Sequence, residues 1–184
     1  MSKYESIVPE DIASNTFDFH GASIEIKTDS DGFGSGSKDA YGKEYQPKWG
    51  FFAKDHFGVT NTNPPPHFVG IKSNKPLIVD QYDFTVNWDL VYMTAKDYKI
   101  ESSMNGETWN TLYSGIIPST NLYTQKCEFE PTICKYIRFV ALSTYDQRGY
   151  KWLQGCNFKI YGTLASLFLY TNPDAAYGIR KKEG

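Results

Sequence analysis

The sequence predicts an all-β fold, an antiparallel jelly-roll-like sandwich of about eight strands, and three observations carry that reading. Apolar residues recur at every second position over short runs, as in Tyr82, Phe84, Val86 and Trp88, or Tyr98 and Ile100; this is the period of a strand with one buried face. Turn formers such as Asn105-Gly106 and Pro131 punctuate those runs, and no helical period is sustained. Aromatic residues make up 16% of the chain, with 14 Tyr and 12 Phe against 3 Met, a usage that suits strands and also a surface that grips sugars or proteins.

At 184 residues the chain suits one domain with tails. The patterning divides it into an N-terminal extension over 1–21, a sandwich over 22–163 and a C-terminal extension over 164–184. The net charge is −2 and the Lys and Arg residues are scattered, so the basic footprint that a phosphate backbone selects is missing and nucleic acid is not an expected partner. No apolar stretch approaches the length that spans a bilayer, and the start carries no signal-peptide pattern. The expectation is a protein that is neither exported nor inserted in a membrane, placed in the cytoplasm, cytoskeleton or cilium, or in a virus particle. Cys127, Cys134 and Cys156 are odd in number and lack metal-ligand spacing, which reads as reduced, mostly buried thiols in a reducing compartment.

Taken in order, residues 1–21 show no periodicity, although Phe17 and Phe19 invite docking onto the domain or a neighbour. Ile24 and Ile26 mark a short first strand from Ser23 to Lys27. The glycines from Gly32 to Gly36 lack the following helix that a phosphate cradle needs, so they read as a loop. From Tyr45 to His67 the chain holds its densest aromatic loop, with Trp49, Phe51, Phe52, Phe57 and the adjoining Phe68 among the Asn61–Asn63 and Pro64–Pro66 runs. A long strand follows from Leu77 to Trp88. Leu122–Phe129 and Tyr136–Leu142 are two further strands, with Pro131 marking a turn between them. Arg138 alternates with Ile137 and Phe139 and so points away from one apolar face.

The clearest hairpin runs from Lys96 to Tyr113. Tyr98, Ile100 and Ser102 alternate with polar residues, Asn105-Gly106 offers positive φ for a tight primed turn, and alternation resumes toward Tyr113. Trp109, just past the turn, reads as a core anchor because an indole there buries a large apolar area.

Four segments then resemble one family in order. Tyr98-Lys-Ile-Glu-Ser-Ser-Met-Asn-Gly-Glu-Thr-Trp109 resembles the hairpin of discoidin domains, also called factor 5/8 type C domains, of the galactose-binding-like superfamily. Pro66–Ile71 followed by Lys75–Val79 resembles the strand that opens that sandwich, with Phe68 where the family usually has Trp. Lys135–Val140 resembles the strand that carries an Arg, here Arg138, and Asn157–Gly162 resembles the closing strand. The resemblance implies Phe68, Trp109 and Arg138 as structural core residues, with Arg138 in a buried ion pair. It further implies ligand-holding loops at one end of the sandwich, where aromatic rings stack on a sugar and Arg, Asn or His make directional bonds. On that basis Trp49, His56, Asn61, Asn63, Tyr145, Arg148, Tyr150 and Trp152 are the candidate ligand-binding residues; packing under the sandwich end is the alternative for these aromatics. Asp55 in Ala53-Lys-Asp55 falls where the family often holds a structural calcium. Asn157 stands where the closing strand usually supplies a second carboxylate, so calcium, if bound, binds weakly.

The sequence shows no nucleophile elbow, no His-Glu-x-x-His and no Cys/His metal pattern, and the resembled fold is a binding module, so the protein is expected not to be an enzyme. Two functions follow. The first is a structural or adaptor module in a large assembly, ciliary, microtubule-associated or virion, whose protein partners meet the apolar C-terminal extension through Phe168, Tyr170, Tyr177, Ile179 and Arg180. The second is a carbohydrate-binding module that recognises cell-surface glycans.

Overall fold

The computed structural model describes residues 2–9, 16–28, 32–33, 59–60, 66–87, 95–120, 122–145 and 156–166. These form ten strands: β1 Glu5–Ser6, β2 Thr16–Phe19, β3 Ala22–Thr28, β4 Gly32–Phe33, β5 Val59–Thr60, β6 His67–Asn87, β7 Asp97–Ser103, β8 Asn110–Ile116, β9 Leu122–Ala141 and β10 Cys156–Leu164. Eight belong to one antiparallel network in the order β1-β10-β6-β9-β7-β8, with β3 also paired to β6 and β2 to β3, while β4 and β5 pair with each other.

The single network becomes two layers because β6 and β9 bend together. The first half of β6, from His67 to Lys72, lies between β3 and the second half of β9, which continues into β7. The second half of β6, from Leu77 to Asn87, lies between β10 and the first half of β9. Between the halves the register slips twice, at Lys72/Leu77 and at Val79/Gln81. Bulges of this kind bend strands and raise their twist. Pro131 falls within the second slip, where its missing N–H costs no ladder bond; it therefore marks a bend within one continuous strand, not the turn between two strands that the sequence suggests.

Folding the halves face to face stacks their inward residues. Phe84 meets Tyr98 at 4.9 Å and Phe139 at 5.3 Å between ring centroids, and Phe139 meets Phe158 at 5.2 Å. The Tyr82 hydroxyl donates across the layers to the Val69 carbonyl at 3.3 Å, which satisfies a polar atom that the core would otherwise strand. Cys127 and Cys134 are buried and unpaired with each other, and burial pushes both thiols up to about 12. They are therefore protonated and unreactive at neutral pH.

Three features depart from the sequence reading. First, the N-terminal residues are part of the sandwich: β1 pairs with β10, Ile7 donates its N–H to the Ile160 carbonyl at 2.7 Å, and Ile7 and Val8 are buried. The backbone N–H of Ser2 reaches Gln81 Oε1 at 2.7 Å and its hydroxyl reaches Asp80 Oδ1 at 2.6 Å, at the β6 bulge. The sandwich thus begins well before residue 22, and Leu164, the last residue of β10, is also buried. Second, the primed turn lies between β2 and β3, where His20 and Gly21 have φ of 51° and 78° and Asp18 accepts from the Gly21 N–H at 3.0 Å. The β7–β8 connection instead spans residues 103–109, with positive φ at Gly106 alone. Ser103 Oγ accepts from Gly106 N–H at 2.9 Å, and Asn105 Oδ1 accepts from Glu107 and Thr108 N–H, both at 2.9 Å. Third, this longer connection carries Trp109 out of the core. Trp109 is half-buried on the outer face of the first layer, as are Phe68 and Arg138, so none of the three lies between the layers.

Candidate functional site

The bent topology gathers most of the long connections at one end of the sandwich. His67 and Ala141 are register partners, as are Tyr98 and Ala141, Asp97 and Ile116, Thr28 and Val69, Asn87 and Leu122, and Cys156 and Val86. Phe84 faces Tyr98 and Phe139 across the core, so the ends of both layers coincide there. The strand ends bordering segments 29–66, 88–94, 117–121 and 142–155 are therefore all at this end. The β4–β5 pair, Gly32 opposite Thr60, closes the base of the longest segment. The opposite end carries the short His20–Gly21 turn, the 103–109 connection and the two bends.

The described residues at the loop end form a braced floor. Ala95 bridges Thr144, Lys96 N–H donates to the Ser143 carbonyl at 2.8 Å, and Leu142 N–H donates to the Asp97 carbonyl at 2.7 Å. The Ser143 hydroxyl donates to the Asp97 carboxylate. Tyr145 donates its hydroxyl to the Ile117 carbonyl at 2.7 Å, and Lys96 Nζ lies 5.9 Å from its ring centroid. The ring is half-buried, so Tyr145 offers one face at most, its hydroxyl being already engaged. It braces the start of the 145–155 segment against the β8–β9 connection. Replacing Tyr145 with Phe is expected to lower stability by about 1 kcal/mol, readable as a shift of the urea midpoint at unchanged slope. Ile116 and Leu142, 62% and 44% exposed, flank Asp97 and give the rim an apolar element.

Of the candidate ligand-binding residues, Tyr145 is thus placed at this end. Trp49, His56, Asn61, Asn63, Arg148, Tyr150 and Trp152 lie outside the described residues, as do Asp55 and the C-terminal Phe168, Tyr170, Tyr177, Ile179 and Arg180. Among the described residues no three His, Cys, Asp or Glu side chains come close enough to hold a metal ion.

The outer face of the first layer holds a second arrangement, one the sequence reading assigned to the core. In register, Lys27, Gly70, Arg138 and Glu101 form one row across β3, β6, β9 and β7. Arg138 Nε and Nη2 donate to Glu101 Oε2 at 2.9 and 2.7 Å, and Lys99 Nζ lies 2.5 Å from Glu101 Oε1. Burial pushes the Glu101 carboxyl up, but the Lys99 and Arg138 hydrogen bonds and charges together outweigh it and leave it below its ordinary value of 4.5. The Arg138 guanidinium is 3.5 Å from the Trp109 ring centroid and 5.1 Å from that of Phe68, a cation held between two π faces. Trp109 meets Tyr136 edge-on at 6.2 Å.

The same architecture appears in solved structures. One is a putative chitobiase fragment from Bacteroides thetaiotaomicron, 14% identical, with a TM-score of 0.55 over 85% of this chain and 98% of that one. Another is the C-terminal domain of a chitobiase from Bacteroides fragilis, 15% identical, with a TM-score of 0.53 over 82% and 99% of the two chains. A third, CpGH89CBM32-5 from Clostridium perfringens, was solved in complex with GalNAc-β-1,3-galactose; it is 11% identical, with a TM-score of 0.52 over 75% and 94%. No curated protein matches the chain in sequence. At these identities the neighbours show the fold, an antiparallel galactose-binding-like β-sandwich. The family profile of the F5/8 type C domain matches residues 37–156, and with that match the chain belongs to the F5/8 type C domain family, a family of binding modules.

Proposed function

We propose that this protein is a non-enzymatic carbohydrate-binding module whose loop end holds a glycan. One observation carries the reading: the segments richest in aromatic, amide and imidazole side chains are rooted at one braced end of the sandwich. Trp49, Tyr150 and Trp152 supply rings that stack on the apolar face of a sugar. Asn61, Asn63, His56 and Arg148 supply the directional donors and acceptors that distinguish one hydroxyl pattern from another. The solved neighbour that holds GalNAc-β-1,3-galactose shares this fold and supports galactose-type sugars as the first ligands to test. Among the described residues Glu101 is held by an ion-pair network, and burial raises the Cys127 and Cys134 thiols.

An assembly-docking role is the weaker reading, because the fold neighbour solved with a bound disaccharide supports a glycan ligand. Ile7, Val8, Leu164 and Ala165 are buried in the sandwich, so these four side chains do not reach a partner.

A glycan array tests the proposal. Expected is a response confined to galactose- or N-acetylgalactosamine-terminated glycans that falls at least about tenfold on Trp152→Ala, a loss of the size that one stacked ring contributes. An array with no response, or a response that Trp152→Ala leaves intact, defeats it.

A further inference from the structure

The outer face of the first layer holds a dent of about 180 Å³, floored by Gly70 and walled by Lys27, Phe68, Trp109, Tyr136 and Arg138. Its floor is open because position 70 has no side chain: a Cβ there would come 2.1 Å from the Ile137 carbonyl oxygen, so the close approach of β6 and β9 requires glycine. One wall is fixed in a similar way. Gly106, at φ +81°, lies against the Tyr136 ring, with a built Cβ only 3.1 Å from it, which seats the 103–109 connection beside the dent.

The charges around the dent are unevenly satisfied. Glu25 is engaged by Lys27 at 2.6 Å, and Glu101 by Lys99 and Arg138. Lys72, next to Gly70's row and paired in register with Tyr136, has its ammonium 5.9 Å from the Tyr136 ring centroid, with no carboxylate in salt-bridge range among the described residues. Arg138 commits Nε and Nη2 to Glu101, and among the described residues its Nη1 meets no acceptor. The dent thus combines aromatic walls with a cationic donor in its lining, Arg138 Nη1, while Lys72, outside the lining and opposite Glu25 in register, stands over the Tyr136 wall.

We propose that this dent is a second binding site, for a sugar residue bearing one negative charge, either a carboxylate or a sulfate ester. The pyranose ring packs against Phe68 and Tyr136, and the anionic group takes hydrogen bonds from Lys72 and Arg138 Nη1. It extends the carbohydrate-binding reading from the loop end to the sheet face, and it rests on that reading for the class of ligand.

The test is an amide-detected NMR titration of the full chain with glucuronic acid, glucose 6-sulfate, glucose and inorganic sulfate. Expected are saturable shifts of the Gly70 and Gly106 amides and the Trp109 indole N–H with at least one anionic sugar, whichever it is naming the anion. Glucose and inorganic sulfate leave these signals in place. Lys72→Ala and Phe68→Ala, both at half-exposed positions, are each expected to weaken the response about fivefold. Silence with both anionic sugars overturns the site, as do equal shifts with glucose, equal shifts with inorganic sulfate, or shifts that neither variant weakens. Neutral N-acetylgalactosamine, titrated into the same sample, reports on the loop end. If it produces no shifts while the dent responds, the loop-end reading fails and this one stands.

Discussion

Phe139→Ala is expected to destabilise the domain by about 3–5 kcal/mol. Phe139 is fully buried, and its ring touches one aromatic from each of three other strands: Phe84 of β6 at 5.3 Å, Tyr98 of β7 at 5.4 Å and Phe158 of β10 at 5.2 Å. Those rings are fixed by ladders on both layers, so the hole left behind cannot collapse fully, and the loss exceeds the transfer energy of the missing atoms. Such a loss is a large part of the stability a domain of this kind holds. Urea unfolding measures it; a cost under about 1 kcal/mol would mean that the ring does not bridge two layers.

Glu101→Gln is expected to cost about 2 kcal/mol near neutral pH. Glu101 has a side chain 5% exposed, and the substitution leaves Arg138, whose side chain is 22% exposed, with an amide where it had a carboxylate. Partial exposure lets water recover some of the loss, which keeps the expected value below that of a fully buried pair. The pH dependence supplies the sign. Glu101 titrates lower in the folded protein than its ordinary 4.5, so through that window the unfolded chain binds more protons and stability rises with pH. The advantage of the native residue over Gln is therefore complete above about pH 5 and fades as pH falls through the depressed native value. An energy difference between the two proteins that stays constant from neutral to strongly acidic pH would show that the carboxylate is not held by Lys99 and Arg138.

How much of this was legible in the sequence depended on whether a feature is local. Alternation placed Tyr82, Phe84, Tyr98 and Ile100 on inward faces, and all four are buried. The bends in β6 and β9 were not legible, because a strand crossing between layers breaks its period just as a turn does, and Pro131 reads the same in either setting. β1 was missed because two residues have no period; the apolar pair Ile7-Val8 was the available signal. Trp109 was misplaced for a related reason: Asn105-Gly106 suggests a two-residue turn, whereas Ser103 and Asn105 use their side chains to hold a longer connection, which shifts everything after it onto another face. The loop end was legible as composition, since Trp49, Tyr145, Tyr150 and Trp152 fall between strands. Its assembly was not, because the convergence of separate segments is a property of the bent topology.

Hydrogen–deuterium exchange with and without GalNAc-β-1,3-galactose tests the central claim most directly, that glycan is held by the converging loops. Ligand contact and ordering slow amide exchange locally. The prediction is slowed exchange in peptides covering 29–66 and 142–155, with the His20–Gly21 turn and the 103–109 connection unchanged. Slowing confined to the opposite end of the sandwich, or no slowing at saturating disaccharide, would contradict it.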